Sequence, residues 1–230
     1  MYGELDMKNV FFALALIFGF GLLATEPMYK WDFNAADTGL KLLREETGIK
    51  MVDGVTGKAL YIGGGYKNNK AGGASTAIEP ETFTKPFTID MWLKLDPKVD
   101  YKYFRDIVGN GADNGPGFRI TYYYNQLRVI TGDGTTHQAA VVGTKIIIPK
   151  DEWFFISMTY SGSELKIYIN GKEAMKKEIT LTAGKKMFTF GSYKGGMAYP
   201  LKGALDNVRI YDKVLEQADI VAIYEKEVIR

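Results

Sequence analysis

The amino-acid sequence predicts an all-β fold, with short antiparallel strands packed as two sheets in a sandwich or jelly roll and one or two short helices. Three observations carry the prediction. Strand formers are plentiful, with 15 tyrosines and 13 phenylalanines, and 26 glycines against 7 prolines supply turns. Apolar and polar residues alternate along several stretches, the period of a half-buried strand. Turn dipeptides separate those stretches; Asn170-Gly171 is the clearest, because both central positions of a two-residue hairpin need positive φ.

In chain order, the first 24 residues stand apart. From Met7, with Lys8 as the one cation, the chain enters an unbroken apolar run from Val10 to Ala24. This is the pattern of a secretory signal peptide, and the run is shorter than a membrane span requires. Residues 1–24 are therefore expected to be a signal peptide, with Met7 as an alternative start and a retained anchor as the alternative to cleavage. Either outcome makes residues 25–230 a secreted, periplasmic or cell-surface domain with no membrane span after cleavage. The chain has no cysteine, so neither a disulfide nor a lipid-modified N-terminal cysteine is available. A formal net charge of +2 gives no footprint for nucleic acid. Lys70, Lys172, Lys176, Lys177, Lys185 and Lys186 read as solvated loop and edge charges.

The strands follow. In "PFTIDMWLKLD" (86–96), Phe87, Ile89, Met91, Leu93 and Leu95 share a core face, leaving Thr88, Asp90, Trp92 and Lys94 on the other. "GFRITYYYNQLRVITGDG" (117–134) reads as two strands joined near Asn125-Gln126. "EWFFISMTYSGSELKIYINGKEAMKKEI" (152–179) reads as a three-stranded meander. "KMFTFGS" (186–192) and "ALDNVRIYD" (204–212) are further strands. Helical texture is confined to "GLKLLREET" (39–47) and the terminal "LEQADIVAIYEKEV" (215–228).

One ordered set of motifs covers most of residues 25–230: "YKWDFNAADTG" (29–39), "GKALYIGGG" (57–65), "FTIDMWLKLD" (87–96), "EWFFISMTYSGSELKIYINGKEA" (152–174) and the closing segment 190–225 with "GALDNVRIYD". The set resembles the laminin-G-like branch of the concanavalin A-like lectin/glucanase superfamily. Phe155 departs from it, standing where members often carry histidine. The resemblance implies a concanavalin A-like jelly roll and a carbohydrate or glycoconjugate ligand. It also implies a structural calcium where the first and last strands meet, with Asp206 and either Asp32 or nearby carbonyls as ligands.

Asp206 poses its own question. Strict alternation turns it to the same face as Val208 and Ile210, and a carboxylate on a core face must be paired, hydrogen-bonded or metal-bound. Calcium and a set of backbone N–H donors are the two readings. Candidate ligand-binding residues are Trp92 and Asp90 on the non-core face of their strand, and Tyr122 and Tyr124 in "TYYYN". Asn114 in the loop "GNGADNGPG" and the single histidine, His137, complete the set. Flat rings beside carboxylates and amides suit a sugar, whose C–H faces stack and whose hydroxyls hydrogen-bond. His137 reads first as a surface loop residue and the Asn114 loop first as a plain turn, with ligand contact the alternative for each. No strand carries the closely spaced pair of acids that a glycosidase uses, so a non-catalytic binding domain is expected. A surface module binding another protein is the second reading, and a glycoside hydrolase with displaced acids the third.

Overall fold

The computed structural model describes residues 26–35, 38–100, 102–111, 115–142, 146 and 148–228. The leader expectation and Asn114 lie outside the described residues. The first half of the chain forms β1 (Tyr29–Trp31), β2 (Lys41–Leu43), β3 (Lys50–Asp53), β4 (Lys58–Gly63), the small pair β5 (Tyr66–Lys67) and β6 (Lys70–Ala71), β7 (Gly73–Ser75) and β8 (Phe87–Leu95). The second half forms β9 (Arg105–Gly109), β10 (Gly117–Tyr123), β11 (Gln126–Gly132), β12 (His137–Val141), β13 (Trp153–Tyr160), β14 (Glu164–Ile169), β15 (Lys172–Glu178), β16 (Thr189–Phe190) and β17 (Lys202–Tyr211). Helix α1 (Gln217–Val228) follows.

Two antiparallel sheets make the sandwich. The first runs β15-β14-β13-β8-β17-β4-β3, with β1 added beside β17; the second runs β12-β11-β10-β9-β16-β7-β2. Their inner faces share one core, in which the β8 row from Phe87 to Leu95 meets Phe118, Ile120, Phe188 and Phe190 of the second sheet's side. A 3-10 turn at Pro80–Thr84 drives Phe83 into the centre, 4.8 Å from the Phe188 ring and 5.2 Å from that of Phe87. Such edge-on and tilted aromatic pairs fix ring orientation beyond what burial alone does.

The hairpin at Asn170-Gly171 closes with the expected positive φ, and the β10–β11 turn falls at Tyr124-Asn125, one residue before the expected Asn125-Gln126 junction. Asn170 and Gly171 have φ of 49° and 76°, and Tyr124 and Asn125 have φ of 47° and 59°. Two consecutive left-handed residues match the right-handed twist of the flanking strands. The expected helix at 39–47 is absent: Leu42 pairs with Ala74 at the edge of the second sheet, and Arg44, at φ 59°, ends the extended segment before a 3-10 turn at Glu45–Thr47. Edge pairing overrides the local helical preference there.

The alternation in β17 does not run unbroken. Asp206 pairs with Trp92, but the next register pair is Arg209 with Asp90, so Asn207 and Val208 together face the single residue Met91. Asn207 sits at φ 45°, and the extra residue makes a β-bulge. Leu205, Val208 and Ile210 therefore point into the core, while Asp206, Arg209 and Tyr211 join Trp92 on the outward face. The expectation that Asp206 shares a face with Val208 and Ile210 is thus corrected. At the same point β17 changes neighbours: Leu205 pairs with β4, and Val208 with Trp31 of β1.

Candidate functional site

The outward face of the first sheet is roofed by α1. Trp92, Phe155, Tyr168 and Tyr211 pack there with Leu215 and Ile220, and the Tyr224 ring stacks 5.7 Å from that of Trp92. Trp92 is 3% exposed and donates its indole N–H to Glu227 Oε2 at 2.6 Å. Beside it, Asp90 Oδ1 accepts from Arg209 Nε at 2.6 Å, and Arg209 Nη1 donates to Glu227 Oε1 at 2.8 Å. Neither Trp92 nor Asp90 is available to a ligand: both are buried, Glu227 of the helix takes the Trp92 N–H, and Arg209 of β17 pairs with Asp90. The outward faces of β8 and β10–β11 also belong to different sheets, so they cannot line one groove.

Asp206 is buried in the same layer. Its Oδ2 accepts from Val55 N at 2.8 Å and Thr56 N at 3.1 Å, and its Oδ1 from Asn207 N at 2.7 Å. Gly54 has no side chain in the way; a methyl there would collide with Oδ2. The carboxylate thus holds the β3–β4 turn to the bulge of β17. Asp32 points outward instead, with its side chain 3.4 Å from Lys30 Nζ and its Oδ1 accepting from Asn34 N. A calcium ion needs free oxygen lone pairs. Three N–H donors already engage the Asp206 oxygens and Asp32 faces away, so the two carboxylates do not converge on one site. Among the described residues no group of three or more His, Cys, Asp or Glu side chains could hold a metal. Burial pushes the Asp206 carboxyl up to about 6, against the three N–H donors, with the Glu227 charge adding to the rise.

The second sheet's outward face is different. Arg119 of β10 is fully buried and forms a bifurcated pair with Asp106 of β9, Nη1 lying 3.2 Å from Oδ1 and 3.1 Å from Oδ2. Three rings close over the guanidinium: Phe104, Tyr193 and Tyr199, with centroids at 4.7, 4.9 and 4.9 Å. Each contact is a cation–π attraction, which strengthens when water is excluded. The ring system continues outward. Phe104 stacks on Tyr123 at 4.0 Å, Tyr123 meets Tyr124 edge-on at 4.5 Å, and Arg128 sits 5.0 Å over Tyr123.

This face ends in an open rim. Tyr66, Tyr103 and Tyr124 are 54%, 65% and 55% exposed, and the Tyr66 hydroxyl accepts from Tyr199 N at 3.2 Å. Along the loop that carries Tyr193 and Tyr199, Lys194 lies 4.7 Å over the Tyr193 ring. Lys194 also borders a 460 Å³ cleft with Lys185, Lys186, Met197, Gly115, Pro116 and Gly134. Tyr124 thus stands on this rim, while Tyr122 turns into the core, its hydroxyl donating to Asn125 Oδ1 at 2.8 Å. His137 is exposed, but it opens β12 opposite Gly132 rather than lying in a loop. Phe104 and Tyr199 carried no local signal, and Lys185 and Lys186 read only as solvated charges. The alternation of β10, which turns Arg119 and Tyr123 away from Phe118 and Ile120, could have pointed to those two.

A family model described as the concanavalin A-like lectin/glucanases superfamily matches residues 68–221. Compared by sequence with curated proteins, the chain has no match. Among solved structures, domain 4 of AbnA, an extracellular arabinanase from Geobacillus stearothermophilus in complex with arabinotriose, superposes with a TM-score of 0.67 at 16% identity, covering 86% of this chain and 98% of that one. The binding domain of Paraclostridial Mosquitocidal Protein 1 superposes with a TM-score of 0.63 at 19% identity, over 81% of this chain and 47% of that one. The binding domain of botulinum neurotoxin DC in complex with SialylT gives 0.62 at 15% identity, over 82% and 46%. The chain spans about half the length of these toxin binding domains. At such identities the likeness is one of fold, the two-sheet jelly roll.

Proposed function

The chain belongs to the concanavalin A-like lectin/glucanase superfamily, and from that premise we propose that it is an exported, non-catalytic module that binds carbohydrate at the loop rim of its second sheet. The observation that carries this reading is the continuous ring system from Tyr199 through Phe104 and Tyr123 to the exposed Tyr124, flanked by Arg128 and Lys194. Rings present apolar faces to sugar C–H groups, and the cations and tyrosine hydroxyls meet sugar hydroxyls or carboxylates. The arabinotriose bound by the arabinanase domain and the SialylT bound by the neurotoxin domain support the same ligand class. The apolar run at residues 10–24 supports export.

A glycan array and polysaccharide pull-downs, each run with calcium and with chelator, test the reading. Binding is expected, and Tyr124→Ala is expected to weaken it by about 1 kcal/mol, the worth of one stacked ring, without moving the thermal midpoint. No binding to any glycan under either condition overturns it. Exposed Met197, which follows Tyr193 on the same loop and lines the lysine cleft, favours a second reading in which the rim docks a surface protein.

A further inference from the structure

Helix α1 covers only part of the first sheet's outward face. One outward step along each strand from Trp92, Asp206 and Phe155 lie Lys94, Ala204 and Trp153, and β4 adds Tyr61. These four form a continuous cross-strand row: Tyr61 pairs with Ala204, Ala204 with Lys94, and Lys94 with Trp153. Four adjacent strands place Tyr61 and Trp153 roughly 14 Å apart, three strand spacings. Two half-buried rings thus stand at the ends of a row whose floor includes a methyl group. The depression between them has a volume of 210 Å³, and Asp53, Asp96 and Asp151 border it.

We propose that this trough is a second saccharide-binding site, separate from the rim of the second sheet, and that it takes one uncharged sugar residue. Its size argues for a single ring, because it falls below the roughly 300–1,000 Å³ of sites that enclose drug-sized ligands. Its walls supply two aromatic faces for sugar C–H groups. Its edges supply acceptors and donors in fixed places. Asp96 Oδ2 accepts from the Tyr61 hydroxyl at 2.7 Å and its Oδ1 from Lys98 N at 2.8 Å, while Lys94 Nζ lies 3.1 Å from Asp151 Oδ1. The indole N–H of Trp153 has no hydrogen-bond partner among the described residues and is free for a sugar hydroxyl. Charge selects against anions: Asp151 and Asp53 have lysine partners, Lys94 and Lys58, while Asp96 has only a neutral hydroxyl and a backbone N–H. A uronate or sialate would bring a second negative charge to Asp96. A neutral polyol brings hydroxyls that donate to it.

The site has its own reporter. Of three tryptophans, Trp31 and Trp92 are buried, so ligand-dependent quenching of indole fluorescence falls on Trp153. The test titrates the full chain with maltohexaose, cellohexaose, mannohexaose, xylohexaose and arabinohexaose, with oligogalacturonate as the anionic counterpart, followed by fluorescence and by backbone-amide NMR. At least one neutral oligosaccharide is expected to quench Trp153 and shift the amides of Lys94 and Ala204, and oligogalacturonate is expected to leave them unmoved. Ala204→Phe fills the floor from the outward side and should weaken that binding about tenfold or more, the scale of one lost ring contact, while Tyr124→Ala should not. Shifts confined to Tyr123 and Tyr124, or quenching that survives Ala204→Phe, overturn the trough while leaving the rim in place. Loss of rim binding in Tyr124→Ala alone leaves the trough standing.

Discussion

Trp92 donates its indole N–H to Glu227 Oε2 at 2.6 Å, joining the central strand of the first sheet to a helix 135 residues later. Glu227 also accepts from Arg209 Nη1 and Nη2 and from Asn207 Nδ2. One carboxylate therefore closes the polar half of the helix–sheet interface, and stacked Tyr224 closes the apolar half. Glu227→Ala would strand donors on three side chains under the helix. The expected cost is about 2–4 kcal/mol, the range for leaving a buried charge short of its partner. Urea unfolding followed by far-UV dichroism measures it, with a red shift of tryptophan emission as Trp92 meets water. A change below roughly 0.5 kcal/mol, the scatter of ordinary surface substitutions, would mean that α1 does not lean on this carboxylate.

The same layer sets a pH dependence. Asp90 and Asp206 are both pushed up to about 6, chiefly by burial, with the Glu227 charge adding to each rise and Arg209 opposing it at Asp90. In the unfolded chain both titrate near 3.8. Between those values the folded protein holds more protons than the unfolded one, so stability falls as pH rises from about 4 to about 6 and levels off above. Thermal midpoints at half-unit pH intervals test this. Asp90→Asn, which stays neutral throughout, is expected to flatten the fall. A midpoint that climbs through this window would show that neither carboxyl is raised.

Asp206 binds the β3–β4 turn to the bulge of β17 through three backbone N–H groups. Asp206→Ala leaves them without an acceptor, at a cost of about 1–3 kcal/mol. Gly54→Ala should destabilise by the opposite route, by pressing a methyl into Oδ2. Because three backbone N–H groups already engage the carboxylate, the loss in Asp206→Ala is expected to be the same in calcium and in chelator. A loss seen only with calcium present would restore the metal reading.

The sandwich was legible in the sequence because its evidence is local: alternation in β8, β10 and β13, and turn chemistry at Asn170-Gly171. The bulge at Asn207 was not, since one residue of positive φ leaves no mark in a pattern of apolar and polar letters, yet it reverses the face of Asp206 relative to Val208. Trp92 was placed on the outward face correctly, but whether α1 lies over that face is a long-range fact that the alternation of β8 cannot carry. Tyr124 could be read from its own segment. The Arg119 cage could not, because Phe104, Tyr193 and Tyr199 come from loops that only the folded sheet brings together.

Arg119 gives the sharpest test of how the second sheet holds its rim. Its guanidinium and Asp106 are both buried, and the three rings packed over Arg119 lead outward to Tyr123 and Tyr124. Arg119→Ala removes one charge of a buried pair and the body under three rings, so a loss of about 3–5 kcal/mol is expected in urea unfolding. Replacing both members, Arg119→Met with Asp106→Leu, removes the stranded charge and should recover most of that loss. The rings would then rest on an apolar side chain without the cation–π attraction. Near-UV dichroism from Tyr193 and Tyr199 should weaken, and glycan binding at the rim should fall in the double variant despite its recovered stability. Full recovery of both signals would mean that packing alone, and not the buried cation, sets the rim in place.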